Sequence, residues 1–205
     1  FHALSGADSM LVKTVKRVAA RTKGPVSVNL IAAERHADRV LCDLENIDLH
    51  GGMGIFEPQG RNTAAAVAVA AQVALADGDL LALVVPSDHE ITTTADFWKT
   101  IESGVEAAKA GRIVVFGIPP AHPETGYGYI EAGTAFDGRE DRDVRRFVEK
   151  PDSQKAESYL AAGNYFWNAG IFLFRGSVMR DAFLAHAPEI WSGVEKAMAG
   201  AERDE

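Results

Sequence analysis

The sequence predicts an α/β protein with a largely parallel sheet, and three observations predict it. Helical and strand-like patterns alternate along the first half of the chain, as they do in strand–helix–strand units. The run Leu80-Leu-Ala-Leu-Val-Val85 is wholly apolar and stops at Pro86, the pattern of a strand buried on both faces in mid-sheet. The segment before it, Ala64-Ala-Ala-Val-Ala-Val-Ala-Ala-Gln-Val-Ala-Leu75, is a strong helix former, apolar on nearly every side. Such a helix is expected to be buried, its small side chains letting it lie close against a sheet.

The elements follow in order. Asp8 or Ser9 is placed to cap an amphipathic helix starting at Met10. Gly24-Pro25 breaks that helix, and Pro25 to Ala32 reads as a strand. A second helix, from about Glu34 to Asn46, carries Val40, Leu41 and Leu44 on one face; His36 and His50 read as surface residues. Met53 to Phe56 is a short strand leading to the Ala-rich helix, and the crossover to the Leu80 strand should be right-handed. Thr94 or Asp96 opens a helix through Phe97, Ile101, Val105 and Ala108, closed by Gly111, and Arg112 to Gly117 is the next buried strand. A Pro- and Gly-rich loop then runs into a strand at Tyr129, and Asp143 to Pro151 forms another. A helix over Ser153–Ala162, a strand over Asn164–Phe174 and two helical pieces broken at Pro188 complete the chain.

Composition bounds the function. The 205 residues suit one domain, and 47% hydrophobic and 24% charged residues are ordinary for a soluble globular chain. A net charge of -8 argues against a general nucleic-acid binder, which needs a basic field to collect phosphates. Cys42 is the only cysteine, which excludes an internal disulfide and a multi-cysteine zinc site and fits a reducing cytoplasm. No hydrophobic segment is long and uninterrupted enough to span a bilayer. The opening Phe1-His-Ala-Leu-Ser-Gly-Ala-Asp8 has neither a basic nor an apolar signal region and no initiator Met, so a cytoplasmic fragment is expected.

Four constellations fall at strand ends or in the loops after them. Asp88, in Pro86-Ser-Asp-His89, lies beyond the carboxyl end of a strand, where open α/β sheets bind ligands. A lone carboxylate there suits a hard cation shared with a phosphate, and equally a cap for the next turn. Glu57-Pro-Gln-Gly-Arg-Asn-Thr63 precedes the Ala-rich helix, whose free N–H groups suit a phosphate or a base edge; a capped helix start uses the same residues. In Glu124-Thr-Gly-Tyr-Gly-Tyr129 the alternating glycines let a ligand approach the backbone, or form a hairpin. Glu149 and Lys150 are neighbours expected on opposite faces of an extended backbone, one suiting sugar hydroxyls and one phosphate; a surface ion pair is the plainer reading. Asn168, between Trp167 and Ala169-Gly170, adds an amide for a polyol.

Glu57-Pro-Gln-Gly-Arg-Asn-Thr-Ala-Ala-Ala66, Val85-Pro-Ser-Asp-His89, Pro123-Glu-Thr-Gly-Tyr-Gly-Tyr-Ile130, Phe147-Val-Glu-Lys-Pro151 and Trp167-Asn-Ala-Gly-Ile-Phe172 occur in this order. Together they resemble the bacterial mannose-1-phosphate guanylyltransferases, also called GDP-mannose pyrophosphorylases. The resemblance implies a nucleotide-diphospho-sugar transferase fold, Rossmann-like, with a mixed and mostly parallel sheet between helices. It implies Mg2+-dependent attack of mannose 1-phosphate on GTP, giving GDP-mannose and pyrophosphate.

By that likeness Glu57, Pro58, Arg61, Asn62 and Thr63 form the nucleotide-binding region, and Asp88 is a catalytic metal ligand. Gly128, Glu149 and Asn168 bind the sugar, and Lys150 acts catalytically on its phosphate. A homodimer is among the expected assemblies; nucleic acid and membrane are not among the expected partners. The family's Gly-rich phosphate loop and a later Trp-Ser-Asp-like metal motif are not found, so residues 1–205 are expected to form one nucleotidyltransferase domain incomplete at both ends. The alternatives are a non-catalytic regulatory relative that binds sugar nucleotide, and a pyrophosphorylase for another sugar 1-phosphate or nucleotide.

Overall fold

The computed structural model describes residues 8–21, 26–45, 47, 49, 51–60, 62–135 and 141–202. The Gly24-Pro25 break, Asn46, His50 and Arg61 lie outside the described residues. The chain divides into two compact units. The first comprises Phe1–Val73, Pro86–Thr100 and Arg180–Glu205, the second Ala74–Val85 and Ile101–Met179.

In the first unit, helix α1 (Met10–Ala19) starts where Ser9 Oγ accepts from the Val12 N–H at 3.3 Å, the cap expected of a serine. Its Leu11, Val12 and Val15 pack with Val28, Val40 and Leu44 into one core cluster. Each such side chain contributes about 1.5–3 kcal/mol on full burial. A turn at Glu34–His36 leads into α2 (Ala37–Leu44). Val40 and Leu44, four residues apart, face that core, whereas Leu41 is 58% exposed. The sequence pattern places Leu41 on the same face; a helix turns about 100° per residue, which swings it outward.

Strand β1 (Leu30–Ala33) pairs in parallel with β2 (Gly54–Glu57), Leu30 opposite Gly54 and Ala33 opposite Glu57. Gly52 must lack a side chain, because a Cβ there would enter the backbone of Val28. Helix α3 (Asn62–Ala76) is as buried as its composition implies: no residue from 64 to 75 is exposed, and Ala68 and Ala71 are fully covered.

The second unit holds a five-stranded sheet of β3 (Leu81–Val84), β4 (Val114–Ile118), β5 (Tyr129–Ala135), β6 (Arg142–Val148) and β7 (Tyr165–Arg175). Strands β3, β4 and β5 all pair antiparallel with β7, and β6 pairs antiparallel with β5. The α/β class expected from the sequence is present, and among the described residues parallel and antiparallel ladders fall in separate sheets. The parallel ladder is that of β1 and β2, while β3 and β4 share a direction because both oppose β7.

Strand β3 departs from the reading of a wholly buried mid-sheet strand. Its residues are half-buried, Leu80 is 54% exposed, and among the described residues β7 is its only strand partner. Helix α4 (Thr94–Ser103) also stops short of the single helix expected; Gly104 intervenes before α5 (Val105–Lys109). A Cβ at Gly104 would sit 3.0 Å from Val114 Cγ1, so the helix breaks where it closes on β4. Helix α6 (Ser153–Ala162) begins at the Asp152 cap and ends at Gly163, whose φ of +72° suits glycine. Helices α7 (Gly176–His186) and α8 (Pro188–Ala199) divide at Ala187, with Pro188 at the helical position its ring favours.

Asp79 ties β3 to the start of α7. Its carboxylate accepts from the Ser177 N–H and hydroxyl, each at 2.7 Å, and Arg175 Nη1 donates to its carbonyl at 3.1 Å. Asp79 does this at φ +61°, a conformation glycine adopts freely. Asp79→Ala is expected to cost about 2–3 kcal/mol in urea unfolding, losing the bonds and straining the backbone. Asp79→Gly should cost less, since it loses only the bonds; equal costs would show that the backbone contributes nothing.

Candidate functional site

The candidate residues fall into two sets, one in each unit. In the first unit β2 ends at Glu57, which burial pushes above the ordinary carboxylate range. Pro58 follows, and Asn62 opens α3 at φ +58° with Thr63 exposed beside it. Asn is among the few residues that tolerate that conformation, through its short polar side chain. Asp88 sits in the turn after β3 and is exposed, so its oxygens are open to a ligand. Among the described residues no group of three or more His, Cys, Asp or Glu is gathered for a metal ion. A cation at Asp88 would therefore complete its shell with water and ligand oxygens, as Mg2+ commonly does.

In the second unit the structure brings together four residues that the sequence separates by up to 40 positions. Gly128 leads into β5, and its carbonyl accepts from the Asn168 N–H of β7 at 2.8 Å. Above Gly128 lie the ring of Phe147 and the carboxylate of Glu149. A Cβ on Gly128 would stand 2.6 Å from Phe147 Cζ and 3.0 Å from Glu149 Oε2. The Asn168 side chain is oriented by its own strand, with Oδ1 accepting from the Gly170 N–H at 3.2 Å, which leaves its amide hydrogens to donate elsewhere.

Glu149 and Lys150 do not point to opposite faces. Lys150 Nζ lies 3.4 Å from Glu149 Oε1, with the two side chains 63% and 61% exposed. The reason is the backbone: β6 ends at Val148, and Lys150 takes φ +42°, so the alternation of an extended strand no longer applies.

Trp167 forms the adjoining wall. His122 and Tyr127 meet it edge-on, with ring centroids 5.0 Å and 5.5 Å away. Its indole N–H is buried without an acceptor among the described residues. The sequence reading joins the Phe147 and Trp167 motifs but gives the Phe147 ring and His122 no role; the fold brings the ring over Gly128 and His122 against Trp167. The loop carrying Tyr127 is fixed by Tyr129, whose hydroxyl accepts from the Glu124 N–H and donates to the Glu124 carbonyl, both at 2.9 Å.

Glu124 Oε1 also accepts from the Gly126 N–H at 2.8 Å, and this bond above all lowers its pKa from the ordinary 4.5, with His122 adding to the effect. A carboxylate depressed in the folded state stabilises the fold at pH above its ordinary value, and loses that contribution as pH falls through the depressed value. The Gly126 amide resonance should therefore titrate below pH 4.5, and Glu124→Gln should abolish that titration. An amide shift that titrates at the ordinary value in the unsubstituted protein would refute the bond.

The nucleotidyl transferase family model matches residues 1–205. The xanthan biosynthesis protein XanB of Xanthomonas campestris pv. campestris is 42% identical over 208 residues, covering 100% of this chain and 43% of that protein. The mannose-1-phosphate guanylyltransferase RfbM of Salmonella typhimurium is 42% identical over 202 residues, 97% of this chain and 41% of its own length. The chain thus spans less than half the length of these curated relatives. Among solved structures, one described as a mannose-1-phosphate geranyltransferase from Thermus thermophilus aligns with TM-score 0.81 at 33% identity, over 94% of this chain and 55% of that one. One described as a mannose-6-phosphate isomerase from Helicobacter pylori aligns with TM-score 0.84 at 30% identity, over 96% and 73%.

Proposed function

The chain belongs to the nucleotidyl transferase family, and from that premise we propose that the complete protein makes GDP-mannose and pyrophosphate from GTP and mannose 1-phosphate. The observation that carries this reading is the convergence of Gly128, Glu149 and Asn168 beside Lys150. A carboxylate held over a bare Cα accepts from neighbouring hydroxyls of a sugar, and an amide and a backbone complete its outline. An ammonium 3.4 Å from that carboxylate suits the phosphate such a sugar carries. The relatives named as mannose-1-phosphate guanylyltransferases support the choice of sugar and nucleotide.

In this reading an oxygen of the sugar phosphate attacks the α-phosphorus of GTP. The bond from that phosphorus to the bridging oxygen breaks, and pyrophosphate leaves with the electron pair. Such a transfer rests on positioning and charge neutralisation, not on a protein nucleophile. Glu149, Gly128 and Asn168 orient the sugar, and Lys150 neutralises its phosphate. Glu57, Pro58, Arg61, Asn62 and Thr63 hold the nucleotide, with the start of α3 offering N–H groups; of these Arg61 lies outside the described residues. Asp88 would hold Mg2+, which when bound neutralises and aligns the triphosphate. Among the described residues no helix is long and apolar enough to cross a membrane.

Pyrophosphate release by the complete parent protein, with GTP, mannose 1-phosphate and Mg2+, tests the reading. Asp88→Ala should lower release about 100-fold or more while the fold is kept. Release that survives Asp88→Ala refutes the metal assignment; no release by the parent, alongside binding of GDP-mannose, identifies a non-catalytic binder. Gly128→Ala should raise KM for mannose 1-phosphate about tenfold or more and leave KM for GTP unchanged, because its Cβ displaces Glu149. Equal effects on both substrates would contradict the division of roles.

A further inference from the structure

Helix α1 buries two polar side chains that its packing does not explain. Thr14 is 4% exposed and Arg17 is 6% exposed, on a helix whose other buried residues are Met10, Leu11, Val12 and Val15. Three residues apart, they share one face. Arg17 Nη2 donates to Thr14 Oγ1 at 2.8 Å. Among the described residues no carboxylate pairs with this guanidinium; it lies over the Phe97 ring at 5.4 Å, and its Nε is buried without an acceptor. Burial lowers its pKa for that reason. A charge buried without an ion-pair partner is costly, and an apolar side chain would serve the core better.

The donors of the pair lead to the Pro86-Ser-Asp-His89 turn. Thr14 Oγ1 donates to the Ser87 carbonyl at 3.5 Å, and Arg17 Nη2 to the His89 carbonyl at 3.4 Å. These are the carbonyls on either side of Asp88. Holding both toward α1 fixes the peptide plane that enters Asp88 and the one that leaves His89, bracketing the two residues, while the Asp88 side chain stays exposed. The same helix turn is also held where Trp98 Nε1 donates to the Arg17 carbonyl at 2.9 Å.

We infer that Thr14 and Arg17 are positioning residues, which set the Asp88 carboxylate for its cation by clamping the backbone before and after it. The inference rests on Asp88 being the metal ligand proposed above. Neither residue touches substrate; both act through the turn. Groups that orient a metal ligand from behind tune metal affinity, an effect that plain core packing does not produce.

The test uses the complete parent protein and two readouts. In Thr14→Val, which keeps shape and loses the hydroxyl, the Mg2+ concentration for half-maximal pyrophosphate release should rise about tenfold, while KM for mannose 1-phosphate holds. In the absence of metal and nucleotide, amide hydrogen exchange over residues 86–92 should quicken in Thr14→Val. Thr14→Ser, which restores the hydroxyl, should bring both back to the parent's values. Should Thr14→Val not fold, Arg17→Lys, which keeps the charge and loses the fork, stands in for it. Unchanged exchange over 86–92 overturns the inference, whatever the metal does. Asp88→Asn separates the two proposals. If it turns over with the parent's Mg2+ dependence, the metal reading fails. If it is inactive while Thr14→Val matches the parent in both readouts, only the positioning role fails.

Discussion

Strand β7 is the constraint on which the second unit depends. Its residues from Trp167 to Arg175 carry ladders to β3 and β4, and Tyr165 to Trp167 carry the ladder to β5. No residue along it is exposed, and Phe174 is fully covered. A strand this committed cannot shift register without turning every side chain to the wrong face. Its residue Asn168 therefore arrives at a fixed place, and its N–H closes on the Gly128 carbonyl. The side of the site that meets the bare Cα of Gly128 is set by backbone, with the side chains of Phe147 and Glu149 laid over it.

Beneath that site lies an aromatic platform. Tyr159 stacks on Tyr165 with centroids 4.1 Å apart and planes 11° apart, and Tyr129 leans on Tyr159 at 5.4 Å. Tyr129 is fully buried and its hydroxyl grips Glu124 in the loop above. The Tyr165 hydroxyl donates to Glu131 Oε2 at 2.8 Å, and Arg146 Nη2 donates to the Tyr165 hydroxyl. Tyr129 and Tyr165 thus bury their apolar bodies while their polar tips find partners, the arrangement that makes tyrosine tolerable in a core. Helix α6 belongs to this platform through Ala156 and Tyr159, so a helix that carries none of the candidate residues still packs with Tyr129 and Trp167 and bears on where the loop over Trp167 lies.

Much of the fold was legible because it rests on local physics. Asp152 and Gly163 bracket α6 as a cap and a left-handed stop, Pro188 divides α7 from α8, and the composition of α3 announces its burial. What escaped was non-local. The break at Gly104 comes from the approach of Val114, ten residues later, and the outward turn of Leu41 from the placement of the core around Val40 and Leu44. The antiparallel pairing of β7 left no mark in an apolar run that fits either direction. The site shows the same division. Its members were named through ordered motifs resembling a family, while their convergence depends on β5, β6 and β7 pairing in register. Spacing alone gave the wrong relation between Glu149 and Lys150, since the φ of Lys150 is a property of the folded turn.

That turn bears on how the charged groups work. An exposed ion pair such as Glu149 with Lys150 is worth little by itself, about 0–1 kcal/mol, so it cannot be what holds the two side chains in place. The backbone does: β6 ends at Val148, Lys150 adopts a left-handed conformation, and the buried Pro151 fixes the exit into α6. A lysine at positive φ costs the fold energy that an asparagine or glycine would not. Asn62 at the start of α3 also takes a positive φ, at the lower cost open to asparagine, and both residues belong to the candidate site. Because the pair is weak and wet, in the proposed function either partner would exchange the other for a substrate hydroxyl or phosphate with little loss. Strain in the main chain thus fixes position, and solvent exposure keeps the charges free to react to a ligand.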